Sequence, residues 1–179
     1  MGEIKTIAVI GAGDHGRGIA QAALRGGYRT ILEDVSDMRL HRAATWIANG
    51  SSAEAAGRLV LAQTVEAAVR DADLIIETVA DEVELKIEMF TIFDKFAKPG
   101  AIFASNSRLV PIAELAAVTF CPERCVGVRF ISGAREIDTL ELVRTAQSSD
   151  ATMVICREVF GRMCKRITVV MESGVTESR

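Results

Sequence analysis

Three glycines at positions 11, 13 and 16, and an acid at 34, carry the clearest chemistry in this chain. The stretch Ile7 to Gly16 reads I-A-V-I-G-A-G-D-H-G. Its apolar run Ile7, Ala8, Val9, Ile10 reads as a buried parallel strand, and Ile19, Ala20, Ala23 and Leu24 then recur at helical intervals. Strand, G-x-G-x-x-G turn and helix, in that order, form the arrangement that cradles a pyrophosphate. Gly11 permits the tight turn, Gly13 lets the backbone approach phosphate, and Gly16 lets helix and strand pack closely. The helix start presents unpaired N–H groups and the positive end of its dipole to the anion. A second strand at 29–33 runs into Asp34, close to the position of an acid that binds a ribose diol. A carboxylate there accepts hydrogen bonds from the hydroxyls and repels a 2′-phosphate, so the residues point to NAD rather than NADP. The plainer alternative for Asp34 is a cap on the following helix.

These residues need a framework, and the hydrophobic pattern supplies one. Strands are predicted at 4–10, 29–33, 59–63, 73–77, 101–104, 125–131, 139–143 and 166–171. Helices are predicted at 15–26, 36–49, 64–70, 82–97, 111–117 and 149–164, with Gly26-Gly27 and Pro99-Gly100 as stops. The alternation predicts an α/β fold: one Rossmann-type domain over 1–179, with a doubly wound, mostly parallel sheet. The strands from 125 to 143 follow one another without a helix. They either pair antiparallel or form an edge of the same sheet.

Composition narrows the function. The net charge of −3 and the lack of a basic stripe argue against a nucleic-acid partner. No apolar run approaches a membrane span, and Glu3 and Lys5 precede the first strand where a secretory signal would be apolar. The expectation is a cytoplasmic protein with a small-molecule substrate. Cys121 and Cys125 are separated by Pro-Glu-Arg, and His15 and His41 lie far from them, so neither a metal site nor a disulfide is expected. Cys156 and Cys164 read as packing residues of the last helix.

Further stretches line up with a known family. They are G-R-G-I-A-Q (16–21), D-A-D-L-I-I-E-T-V (71–79), E-L-K (84–86), A-S-N-S (104–107), P-E-R-C-V-G (122–127) and L-E-L-V-R (140–144). In this order the chain resembles the NAD-binding domain of 3-hydroxyacyl-CoA dehydrogenases, from Ile4 to about Arg179. The resemblance implies oxidation of the 3-hydroxyl of an acyl-CoA thioester, with roles in fatty acid metabolism. It implies cofactor contacts from Gly11, Gly13, Asp14, His15, Gly16, Asp34, Thr78, Val79, Asp81, Lys86 and Asn106. Asn106 and Ser107 then stand near nicotinamide and substrate. Glu141 matches the glutamate that orients the family's catalytic histidine.

That histidine does not carry over. The family pattern there is H-F, one further residue, then N-P, whereas this chain reads Arg129-Phe130-Ile131-Ser132-Gly133, and Arg108 replaces a serine that contacts substrate. Hydride leaves the carbinol carbon only if the hydroxyl proton is also taken, and a histidine titrating near neutrality can take it. Arginine stays protonated and cannot. Glu141 beside Arg129 is therefore expected to form an ion pair. The segment between Asp34 and Leu59 is shorter than the helical excursion that holds CoA in relatives. The sequence ends where relatives enter an all-helical domain.

Arg129 reads either as drift in a copy that lost catalysis or as an anion site for carboxylate or phosphate. The first is preferred here because no second basic residue in the motif completes a clamp. Asp14 is expected to be offset by Arg17, and Glu77 to hold a backbone N–H. Lys86 is expected either to reach cofactor or Asp81, or to lie on a solvated helix face. Three functions remain open: a weak or inactive dehydrogenase of the family type, a non-catalytic NAD-binding regulatory or partner module, and a dehydrogenase of another hydroxy acid. An apolar face left without the helical domain suggests a homodimer or contact with another chain.

Overall fold

The computed structural model describes residues 2–132 and 137–172. It contains an eight-stranded sheet. In chain order the strands are β1 (Thr6–Ile10), β2 (Arg29–Glu33), β3 (Leu59–Ala62), β4 (Leu74–Glu77), β5 (Ile102–Ser105), β6 (Cys125–Ser132), β7 (Ile137–Arg144) and β8 (Arg166–Met171). The helices are α1 (Asp14–Arg25), α2 (Asp37–Asn49), α3 (Ala53–Ala56), α4 (Val65–Val69), α5 (Val83–Phe96), α6 (Ile112–Ala116) and α7 (Asp150–Met163). A short 3₁₀ turn covers Pro122–Arg124.

The strand order is β3-β2-β1-β4-β5-β6-β7-β8, the doubly wound arrangement the alternation predicts. Strands β1 to β6 run parallel. The open choice for the later strands resolves as a ladder: β6 and β7 are antiparallel, with Arg129 opposite Glu141. Helix α7 then crosses back and sets β8 parallel to β7. Gly133 of the altered motif falls outside the described residues.

Every residue of β1 is buried, because helices cover both of its faces. On one face Ile7 and Val9 pack with Ile19 and Leu24 of α1, Ile47 of α2 and Phe160 of α7. On the other, Ala8 and Ile10 pack with Val69 of α4 and with Phe90 and Phe93 of α5. Burying each such Ile, Leu or Phe contributes about 1.5–3 kcal/mol. Ile47 packs fully while Trp46 remains partly exposed. All four cysteines are buried and free, and they divide between these two cores.

The sheet order reverses between β1 and β4, so their carboxyl ends open a crevice. The glycine turn follows β1, the Thr78–Val79 segment follows β4, and Asp34 follows β2 on the neighbouring side. These residues, singled out from the sequence, are thus gathered at the carboxyl ends of neighbouring parallel strands.

Candidate functional site

The glycine turn is held from beneath. Gly11 has φ +98°, its N–H donates to the Glu33 carbonyl at 2.9 Å, and the Thr78 hydroxyl lies 2.9 Å from the Ile10 carbonyl and 3.0 Å from that of Gly11. A Cβ on Gly16 would overlap the Gly11 carbonyl oxygen, so this glycine sets the approach of helix to turn. Gly13 differs, since nothing among the described residues lies within 4 Å of the place its Cβ would occupy. That open space faces the start of α1, where no side chain caps the helix. An uncapped helix N-terminus beside an open backbone is the fit expected for a pyrophosphate. Asp14 and His15 in this first turn are exposed, and Asp14 pairs with Arg17 at 2.9 Å.

Asp34 is nearly buried. Its Oδ2 accepts the Ala12 N–H at 2.9 Å and its Oδ1 the Ser36 N–H at 2.8 Å. The cap of α2 is Ser36, whose hydroxyl accepts from the Arg39 N–H, so Asp34 is not the helix cap. It braces the glycine turn instead and faces the crevice from β2.

Beside it, Glu33 is 2% exposed and its Oε1 has no hydrogen-bond partner among the described residues. Burial, then the charges of Asp34 and Glu66, push its pKa from 4.5 up to about 7. The folded chain therefore binds a proton that the unfolded chain lacks between these values, and Glu33 lowers stability as pH rises from about 4.5 to 7. Glu33→Gln is expected to unfold in urea about 1–3 kcal/mol harder than the parent at pH 8, with little difference at pH 4.5. An equal effect at both pH values would show that Glu33 is charged throughout.

The segment after β4 rests on a buried ion pair. Lys86 is completely buried on α5, and its Nζ lies 2.8 and 2.9 Å from the two carboxylate oxygens of Glu77. Glu77 also accepts the Val79 N–H at 2.6 Å, as expected from the sequence, and the Ser105 hydroxyl at 2.6 Å. The solvated-face reading of Lys86 is thus corrected: α5 packs this position against the sheet, and Glu77 nine residues earlier supplies the counter-charge. Asp81 lies 3.6 Å from Lys86 Nζ. Burial works against the Asp81 carboxylate, but hydrogen bonds from Ser107 Oγ and from the N–H groups of Arg108 and Leu109, with the Lys86 charge, hold its pKa below the ordinary value. Asp81 and Ser107 thereby brace the loop after β5. The Ser107 hydroxyl donates to Asp81 at 2.5 Å and accepts the Val110 N–H at 2.9 Å. Val79 is partly buried against the second core.

Asn106 follows β5, and its Oδ1 accepts the Phe130 N–H at 3.4 Å. Arg129 reaches Glu141 across the β6–β7 ladder at 3.8 Å and the Ser107 carbonyl at 3.4 Å. The predicted ion pair is present, and it is long. Arg108 shares a cleft of about 170 Å³ with Arg129, walled by Leu109, Val110, Pro111, Met171 and Glu172. Sequence reasoning found no second basic residue because it looked within the motif; the fold brings one from the β5 loop. Glu172 is occupied at the start of α6, accepting from Ile112 N–H at 2.5 Å and Ala113 N–H at 3.0 Å. Neither His15 nor His41 belongs to this cleft, and both are exposed.

Comparison with known proteins agrees with this geometry. Residues 6–174 match the family model described as 3-hydroxyacyl-CoA dehydrogenase, NAD binding domain. The chain belongs to this family. It is 34% identical over 180 residues to a 3-hydroxybutyryl-CoA dehydrogenase of Bradyrhizobium diazoefficiens, covering 93% of this chain and 61% of that protein. It is 29% identical to a peroxisomal fatty acid beta-oxidation multifunctional protein of Arabidopsis thaliana, covering 94% of this chain and 25% of that one. The crystal structure of (S)-3-hydroxybutyryl-CoA dehydrogenase from Ralstonia eutropha superposes with a TM-score of 0.89 at 26% identity, covering 96% of this chain and 65% of that one. The chain spans about three fifths of the length of the 3-hydroxybutyryl-CoA dehydrogenase it matches. Its cofactor is NAD, as the family and the cradle at Gly13 both indicate. No helix among the described residues is long and apolar enough to cross a membrane.

Proposed function

We propose that this chain is the NAD-binding part of a 3-hydroxyacyl-CoA dehydrogenase-type oxidoreductase whose turnover of 3-hydroxyacyl-CoA is weak or absent. NAD, when bound, accepts hydride from a hydroxyl-bearing carbon. The chain's residues divide the remaining work. Gly11, Gly13, Asp14, His15 and Gly16 lie along the pyrophosphate, Asp34 meets the ribose, and the Thr78–Asp81 segment, with Lys86 behind it, shapes the crevice. Asn106, Ser107 and Glu141 border the nicotinamide end. The single observation that carries the reading is Arg129, paired to Glu141 where the family places its histidine. A permanent cation cannot take the hydroxyl proton, and loss of a general base costs about 10²–10⁴ in rate.

Calorimetry with NADH, repeated with acetoacetyl-CoA, tests this. NADH is expected to bind, with an affinity that the thioester changes less than twofold, and 3-hydroxybutyryl-CoA is expected to give no sustained NAD reduction. Robust reduction, or NADH binding tightened tenfold by the thioester, would restore the full family reaction.

Arg108 beside Arg129 supports a second reading, a dehydrogenase of a free hydroxy acid. Two guanidinium groups in one cleft can grip a carboxylate. Glu141 would then receive the hydroxyl proton as hydride passes to NAD. Free 3-hydroxybutyrate in the same calorimetry separates the two readings, since only the second expects NADH binding to respond to it. A chain that binds NADH, responds to neither compound and reduces no NAD is the inactive limit of the first reading, the non-catalytic module. Leu109 and Met171 line the cleft and are exposed, as is Val169 on the same edge strand; they support the reading that this face meets a second copy or another chain.

A further inference from the structure

A bare carboxylate at position 34 would repel a 2′-phosphate, but Asp34 is not bare. Arg39 sets Nε and Nη2 each 3.1 Å from Asp34 Oδ1. Arg42 lies three residues along α2, on the same helix surface as Arg39. Arg17 approaches from α1. These three arginines line one cavity of about 160 Å³ with Ala12, Gly13, Asp14 and Ala43, directly beside the phosphate turn. That volume is several times the ~30 Å³ a water occupies in the liquid.

The charges at this cavity do not cancel. Asp14 is matched by Arg17 and Asp34 by Arg39, and Arg42 makes no ion pair among the described residues. Arg39 is 56% exposed at its side chain, so it can turn from Asp34 toward an incoming anion. Guanidinium forks match phosphate oxygens two at a time, which point-charge lysines do not.

We propose that Arg39 and Arg42, backed by Arg17, form a subsite for the 2′-phosphate of NADP, so that the chain takes NADP as well as NAD. This rests on the NAD-binding reading of the glycine turn. When the unphosphorylated cofactor binds, Asp34 holds the ribose diol and the arginines face solvent. When the phosphorylated cofactor binds, Arg39 leaves Asp34 and joins Arg42 on the phosphate. The cavity lies at the adenosine end, remote from the Arg108–Arg129 cleft, so it does not depend on which substrate the chain uses.

The structure also provides the reporter. Trp46, the chain's one tryptophan, lies under Arg17 with the guanidinium carbon 4.9 Å from its ring centroid. Trp46 fluorescence titrations with NAD, NADP, 5′-AMP and 2′,5′-ADP read binding without turnover. The expected result is an NADP affinity within tenfold of that for NAD, and 2′,5′-ADP bound at least tenfold tighter than 5′-AMP. That preference should shrink as salt rises. Arg42→Ala should weaken NADP at least fivefold more than NAD, and Arg42→Lys should recover only part of the loss. NAD binding with NADP more than tenfold weaker would overturn the subsite and leave the NAD reading intact. Equal weakening of both cofactors by Arg42→Ala would assign the arginines to the pyrophosphate and also overturn it. Failure of every nucleotide to bind would overturn the NAD reading itself.

Discussion

Lys86→Met is expected to destabilise the chain by about 3–5 kcal/mol, because it leaves the Glu77 carboxylate buried without its cation. Methionine fills much of the lysine's volume, so cavity formation adds little. What is lost is the ammonium at 2.8 and 2.9 Å, while Glu77 retains only the Val79 N–H and the Ser105 hydroxyl. For a domain of this size the loss corresponds to a fall in Tm of roughly 6–20 °C. The compensating variant makes the argument specific. Glu77→Gln combined with Lys86→Met removes both charges, and the pair is expected to be more stable than Lys86→Met alone. A lysine whose role was to touch the cofactor would behave otherwise: Lys86→Met would then keep its melting temperature and lose NAD affinity. The placement of Glu77 gives the pair a functional consequence, because this carboxylate anchors the Val79 N–H, two residues past the end of β4. Loosening it frees the wall of the crevice opposite the glycine turn.

The same pair shows where sequence reading stops. The apolar runs of β1, β4 and β5 and the spacing of the glycines declared a doubly wound sheet, and the observed strands and major helices fall within a few residues of their expected places. Period and turn chemistry are local properties, so one sequence suffices to read them. The four-residue helix α3 was not legible, since Ala-Glu-Ala-Ala is too short for a period to emerge, and its one signal is the cap Ser52, whose hydroxyl accepts the Ala55 N–H. Burial of Lys86 was not legible either. A lysine on an amphipathic helix reads as solvated until a neighbouring strand is known to present a carboxylate. The arginine groupings failed for a related reason: Arg108 and Arg129, or Arg17 and Arg42, lie more than twenty residues apart in sequence and share a cavity only once the sheet and its helices are assembled. A partial signal existed for one of them, since Arg39 and Arg42 are three apart on a helix that starts beside Asp34.

Gly16→Ala and Gly13→Ala are expected to fail in opposite ways, and the contrast separates glycines that serve the fold from glycines that serve the ligand. At position 16 the new Cβ would overlap the Gly11 carbonyl oxygen and stand 2.9 Å from both the Gly11 carbonyl carbon and the Thr78 hydroxyl. Two of these three atoms are backbone of the turn, and Gly11 already holds φ +98°, so the turn cannot yield without strain. Helix α1 must move off the sheet, breaking its contact with β1, at a cost of about 3 kcal/mol or more. NAD affinity is expected to fall at least a hundredfold as the cradle opens. At position 13 the described residues offer no obstacle, because none lies within 4 Å of the added methyl and φ is an unstrained −68°. Gly13→Ala should therefore retain its unfolding free energy to within about 1 kcal/mol, the range of a glycine-to-alanine change at a helix cap. Its NAD affinity should nevertheless fall tenfold or more, since the methyl fills the space through which the pyrophosphate reaches the backbone. Chemical denaturation and calorimetry on the two variants give four numbers that must fall in this pattern. A Gly13→Ala chain with full NAD affinity would mean that the phosphates pass elsewhere, and the open space beside α1 would then need another occupant.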